Sequence, residues 1–171
     1  MSASATLLID AFGRIRDNVH RVVDHLSAEQ LAARPDEDGN SIAWLVWHLT
    51  RIQDDHVADA MDGEQLWTSD GWMTRFGLPF SPEATGYGQS SDEVGSVRGL
   101  DSELLAGYHD AVHLRTVDYV TDLDDHDLDR IVDRAWNPPV TLAVRLVSVI
   151  SDDLQHVGQA AFVRGMIVRR G

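Results

Sequence analysis

The chain has no cysteine and no lysine in its 171 residues. Without cysteine there is no disulfide, no thiolate metal ligand and no cysteine nucleophile. Any thiol chemistry must therefore take its sulfur from outside the chain. Without lysine, Schiff-base chemistry and a phosphate-loop lysine are both excluded. Positive charge of any kind is scarce: 14 basic residues stand against 28 acidic ones, for a formal charge of −14. Such a surface repels phosphate backbones and anionic membranes, so neither nucleic acid nor a membrane is an expected partner. Long apolar runs are missing too, because Arg or Asp interrupts each one before it reaches membrane-spanning length. No basic segment followed by an apolar one opens the sequence, and a soluble cytoplasmic protein is the expectation.

An apolar fraction of 43% over this length suits one domain spanning residues 1–171 with a proper core. Four stretches carry helical periodicity. In the first, residues 5–26, Leu8, Phe12, Ile15, Val19, Val22 and Leu26 recur at three- and four-residue steps. Ser27-Ala-Glu-Gln30 resembles a capping box for a short connecting helix. Ser41 caps the second helix, residues 42–61, and Gly63 lies just past its end. The third spans 102–123, with Leu105, Tyr108, Val112 and Tyr119 as its stripe. Thr141 caps the fourth, 142–168, whose apolar residues point in several directions and predict a helix deep in a bundle. Residues 62–101 differ: glycines and prolines break the pattern, while Trp67, Trp72, Phe76, Phe80 and Tyr87 argue against disorder. The reading is an all-α four-helix bundle with a long ordered excursion between helices 2 and 3, holding one or two short helices near 69–76.

Polar residues inside the apolar helices point to chemistry, since burying them unsatisfied is costly. Asp152 and His156 are four apart, about 40° in direction and about 6 Å in height on one helix. His48 sits among aromatics and aliphatics in Ala43-Trp-Leu-Val-Trp-His-Leu49. A divalent ion between facing helices satisfies all three. Two imidazoles and a carboxylate suit Zn²⁺ with an open fourth position, and Ni²⁺ or Fe²⁺ also accept this set. By spacing alone, Asp152 and His156 equally form an intrahelical ion pair. His48 equally fits a core histidine bonded to a carbonyl.

Other groups compete for attention. His109 and His113 are four apart but rotate off the third helix's stripe, which reads as a solvated flank. His56 lies about 12 Å along the helix from His48, too far to share an ion. Asp55 is two turns from His48 on nearly the same face, placed for a substrate contact. With Asp54 and Asp59 it reads more simply as a solvated acidic flank. Gly86-Tyr-Gly88 is too short for a nucleotide loop and follows no strand.

Two stretches, Ser41-Ile-Ala-Trp-Leu-Val-Trp-His-Leu-Thr-Arg51 and Asp152-Asp-Leu-Gln-His-Val-Gly-Gln159, resemble the DinB-like superfamily. More narrowly they resemble its mycothiol-dependent branch of S-transferases and maleylpyruvate isomerase. The resemblance runs in helix order along nearly the whole chain. It implies a four-helix bundle whose metal is held by His48, Asp152 and His156, with Asp152 standing where the commoner pattern has histidine. It implies mycothiol as a thiol co-substrate, a small electrophile as its partner, a detoxifying S-transfer reaction and a possible homodimer. Within that reading Asp55, Trp67 and Trp72 are candidates to line the thiol and electrophile pocket. The alternatives are a mycothiol-dependent isomerase using Arg51 or Arg75 for substrate carboxylates, a metal-dependent hydrolase with Asp55 as base, and a non-catalytic, stress-related metal-binding bundle.

Overall fold

The computed structural model describes residues 1–170. Four long helices carry the architecture: α1 (Ala3–Val23), α3 (Ile42–Ala60), α7 (Ser102–Thr121) and α8 (Leu142–Arg170). Each begins where a short oxygen-bearing side chain meets its free amides. Ser2 accepts from the Ala5 amide, Ser41 from Trp44 and Asp101 from Leu104. The Thr141 hydroxyl accepts from Val144 at 3.3 Å. Helix α1 packs against α7 and α8, and α3 packs against the same two from the other side. This closes a four-helix bundle around Phe12, Ile15, Leu45, Leu49, Leu105, Tyr108 and Leu146. Helices α3 and α8 run antiparallel, so that His48 lies level with Asp152 and Asp59 level with Arg145. That pairing sets the site.

The short helix α2 (Ala28–Ala32) starts with the expected capping box at Ser27 and Gln30. The excursion after α3 contains α4 (Leu66–Ser69), α5 (Trp72–Phe76) and α6 (Ser91–Ser96). It is pinned to α3 by an ion pair with no exposure on either side. Arg51 Nη1 lies 3.8 Å from Asp54 Oδ2. Arg51 Nε donates to the Ala84 carbonyl at 3.1 Å, and Asp54 accepts the amides of Leu66 and Trp67 at 3.0 and 2.8 Å. The Tyr108 hydroxyl also donates to Asp54 at 2.8 Å. Asp54 is therefore an internal cap for α4 and not part of a solvated flank. Arg51 is therefore committed to the fold and not free for a substrate carboxylate, whereas Arg75 is exposed, its guanidinium lying over the Trp72 ring.

Three features depart from the sequence reading. A two-stranded antiparallel pair, β1 (Ile131–Asp133) and β2 (Val140–Thr141), joins α7 to α8. His109 is fully buried, because α7 is covered by both α1 and α3 and its buried arc is wider than one stripe. Helix α8 buries only one of its apolar sides: Val144, Val147, Leu154, Phe162 and Val168 are exposed.

Candidate metal centre

The facing sides of α3 and α8 bring together three donors. One ligand atom each from His48, Asp152 and His156 lie within 4.8 Å of one another, and among the described residues no other group of three does so. The imidazoles of His48 and His156 meet edge to face, with centroids 4.6 Å apart. Trp44, one turn before His48, stacks flat on its ring at 4.7 Å and 12°. The Trp44 indole is fixed in turn by donating to Gln89 Oε1 at 2.7 Å.

The two plainer features weighed from spacing are both present. His48 Nδ1 hydrogen-bonds the Thr85 carbonyl at 2.5 Å. A carbonyl only accepts, so Nδ1 carries the proton and Nε2 keeps its lone pair. That nitrogen faces Asp152 Oδ2 at 4.0 Å. His156 Nδ1 donates to the Asp152 carbonyl at 2.9 Å and lies 3.2 Å from Oδ2. These contacts do not compete with a metal. They do what partners around a ligating histidine do, setting its tautomer and ring orientation.

The electrostatics place one carboxylate charge between the two imidazoles. Burial, aided by His156, lowers the pKa of His48 against the Thr85 hydrogen bond, so it stays neutral. Burial alone would discharge His156, but the adjacent Asp152 carboxylate outweighs it and raises the pKa. Burial likewise opposes charge on Asp152, and the hydrogen bond and charge of His156 outweigh it, lowering its pKa. Oδ2 of Asp152 is nevertheless buried with no aligned donor. Two imidazoles and an ionised carboxylate with an orphaned oxygen, on the rim of a bundle, fit a divalent ion.

The remaining sequence candidates fall elsewhere. Asp55 is partly exposed beside His56 and accepts from Gln65 Nε2 at 2.6 Å. Trp67 is buried between Trp47, Phe76 and Tyr108, under the Arg51 guanidinium. Trp72 packs on Tyr108. Both indoles are core residues beneath the excursion and do not wall an open pocket. Three residues around His48 escaped the sequence reading: Trp44, Thr85 and Gly86. Gly86 is in the left-handed region at φ +97°, and a Cβ there would lie 2.6 Å from His48 Nδ1. Its signal was the glycine pair flanking Tyr87.

The model of the DinB superfamily matches residues 11–160, and the chain belongs to that superfamily. A crystal structure of a conserved protein from Enterococcus faecalis is similar to it throughout, with a TM-score of 0.90 and 27% identity over 98% of each chain. No curated protein matches the chain.

Proposed function

We propose that the protein is a metal-dependent S-transferase that joins a low-molecular-weight thiol, mycothiol, to small electrophiles. The observation that carries this reading is the His48, Asp152 and His156 cluster in a chain without cysteine. His48, Asp152 and His156 would hold a divalent ion, with Zn²⁺ the first choice, and the bound ion would supply the Lewis acidity that lowers the pKa of a thiol. The chain brings no thiol of its own, so the nucleophile arrives with the co-substrate.

The residues around the cluster have separate tasks in this reading. Thr85 and Trp44 hold His48 with Nε2 presented. Asp152 contributes one negative charge, which moderates the charge of the loaded site relative to three imidazoles. Asp55, half-exposed and steadied by Gln65, is an acceptor for hydroxyls of a sugar thiol. In the isomerase alternative Arg51 is occupied by Asp54 and Arg145 by Asp59 and Asp133 at 3.0 and 3.3 Å, which leaves the exposed Arg75 as its candidate cation.

The test is turnover of a bromobimane-type electrophile by metal-loaded protein. Mycothiol should support it, and neither water alone nor an unrelated thiol should match that rate. Equal rates with another thiol would sink the mycothiol assignment, and turnover without any thiol would replace transfer by hydrolysis.

A further inference from the structure

The flank shared by α3 and α8 changes character on either side of His48, Asp152 and His156. Toward the C-terminal end of α3 it is charged. Asp55 lies about 10 Å past His48 along the helix axis, and its carboxylate is 3.7 Å from His56. Arg145 closes that end, donating to His56 Nδ1 at 3.1 Å and to Asp59 at 3.0 Å. Toward the N-terminal end of α3 the same two helices border a cavity of about 450 Å³, lined by Asn40, Leu45, Gly158, Gln159, Phe162 and Val163. None of these residues is charged, in a chain whose residues are 25% charged.

The cavity adjoins the candidate metal centre. Leu45 comes about one turn before His48 on α3, and Gln159 about one turn past His156 on α8. The two helices are antiparallel, so both steps lead the same way, to the end opposite Asp55. Leu45 and Val163 form a buried wall, while the Phe162 ring is 69% exposed and stacks on no other ring among the described residues. A Cβ at Gly158 would meet nothing within 4 Å, so the cavity is open at that point of α8. Asn40 and Gln159 contribute neutral amides.

We propose that this cavity receives the electrophile, and that the electrophiles it takes are neutral, with an apolar and preferably aromatic body. The inference rests on the S-transferase reading and adds the substrate class. A carboxylate in this lining would lose its water with no cation to replace it. An apolar body buries against Leu45 and Val163 and meets the free face of Phe162. The volume falls within the ~300–1,000 Å³ of small-molecule sites. The Asn40 and Gln159 amides are donors for one carbonyl oxygen. The hydroxyls of the thiol belong at the Asp55 end, so the two substrates meet from opposite sides. In the transfer the thiol sulfur bonds to the electrophilic carbon, and the bond from that carbon to its leaving group breaks. The leaving group keeps the electron pair, and the thiol proton goes to solvent.

Phenacyl bromide and its para-carboxylate test this, since they share a reacting carbon and a leaving group and differ in charge. With mycothiol and the metal-loaded full chain, kcat/KM for the neutral ketone should be about tenfold the higher, each value taken relative to the uncatalysed rate. Gly158→Leu fills the cavity without a backbone clash and with a better helix former. It should raise KM for the neutral ketone about tenfold and leave metal content and the KM for mycothiol unchanged. Acetophenone, which has no leaving group, should bind the metal-loaded chain in saturation-transfer NMR and should not bind Gly158→Leu. That measurement needs no thiol, so it judges the cavity even where mycothiol supports no turnover, the result that sinks the S-transferase reading. Equal kcat/KM for the two ketones overturns the proposal. So does a lack of acetophenone binding to the unchanged chain, or binding that Gly158→Leu leaves intact.

Discussion

The carbonyl of Thr85, deep in the excursion, takes the Nδ1 proton of His48 and so presents the other nitrogen of that ring to Asp152. The next residue, Gly86, lets the backbone come that close. Replacing it with alanine forces a side chain into the left-handed region and against the imidazole. Gly86→Ala should lower metal affinity about 10- to 100-fold, the usual cost of losing support for a ligating histidine. Helical content should not change. Competition against a chromophoric chelator reads the affinity, and an unchanged value would show that Thr85 does not set the ring.

The purified protein should carry about one divalent ion per chain after dialysis. His156→Ala should lose it, because two donors remain where three are needed. Asp152→His should keep it, since an imidazole reaches the same point from that position of α8. Elemental analysis of the three proteins decides. Full retention in His156→Ala would remove the site.

His109 gives the fold an acid limit. Burial, with the nearby charge of His113, pushes its pKa down to about 3 from an ordinary 6.5. Between those values the unfolded chain binds a proton that the folded chain refuses. Stability should therefore fall as pH drops from about 6.5 toward 3, by up to about 1.4 kcal/mol per pH unit, and should be insensitive to this group above 6.5. Urea titrations of the unchanged chain and His109→Gln across that range measure the difference. Equal slopes would show that the ring is protonated in the folded state.

Asp153 is fully buried on α8, and neither carboxyl oxygen has a hydrogen-bond partner. Burial, with Asp152 next to it, raises its pKa well above the ordinary carboxylate value. An unpaired polar group in a core costs about 1–3 kcal/mol. Asp153→Leu should raise the melting temperature while leaving the metal content as it was. A lower melting temperature would show that the carboxyl has a partner in solution.

What was legible in the sequence follows from the range of each interaction. Helix periods and the caps at Ser41 and Thr141 are local, and they were readable to within a few residues. Asp152 and His156 were readable because they share one helix, and His48 because an imidazole in an apolar run needs a partner. The burial of His109 was not, because it depends on two helices flanking α7 at once. Asp54 looked like part of a solvated flank and Arg51 like a cation for a substrate, since their partners Ala84, Leu66 and Trp67 come from the excursion. Trp67 and Trp72 were legible as ordered aromatics, but no local pattern says whether an indole walls a pocket or fills a core.

The docked excursion also acts as a thermodynamic coupling element. One end of it is held by Asp54, and its middle holds His48. Whatever strengthens the His48 ring's hold on an ion strengthens the seating of residues 84–86 by the same free energy. Amide exchange in the excursion should therefore slow when metal is added, and a substrate that loosens the excursion would loosen the metal with it.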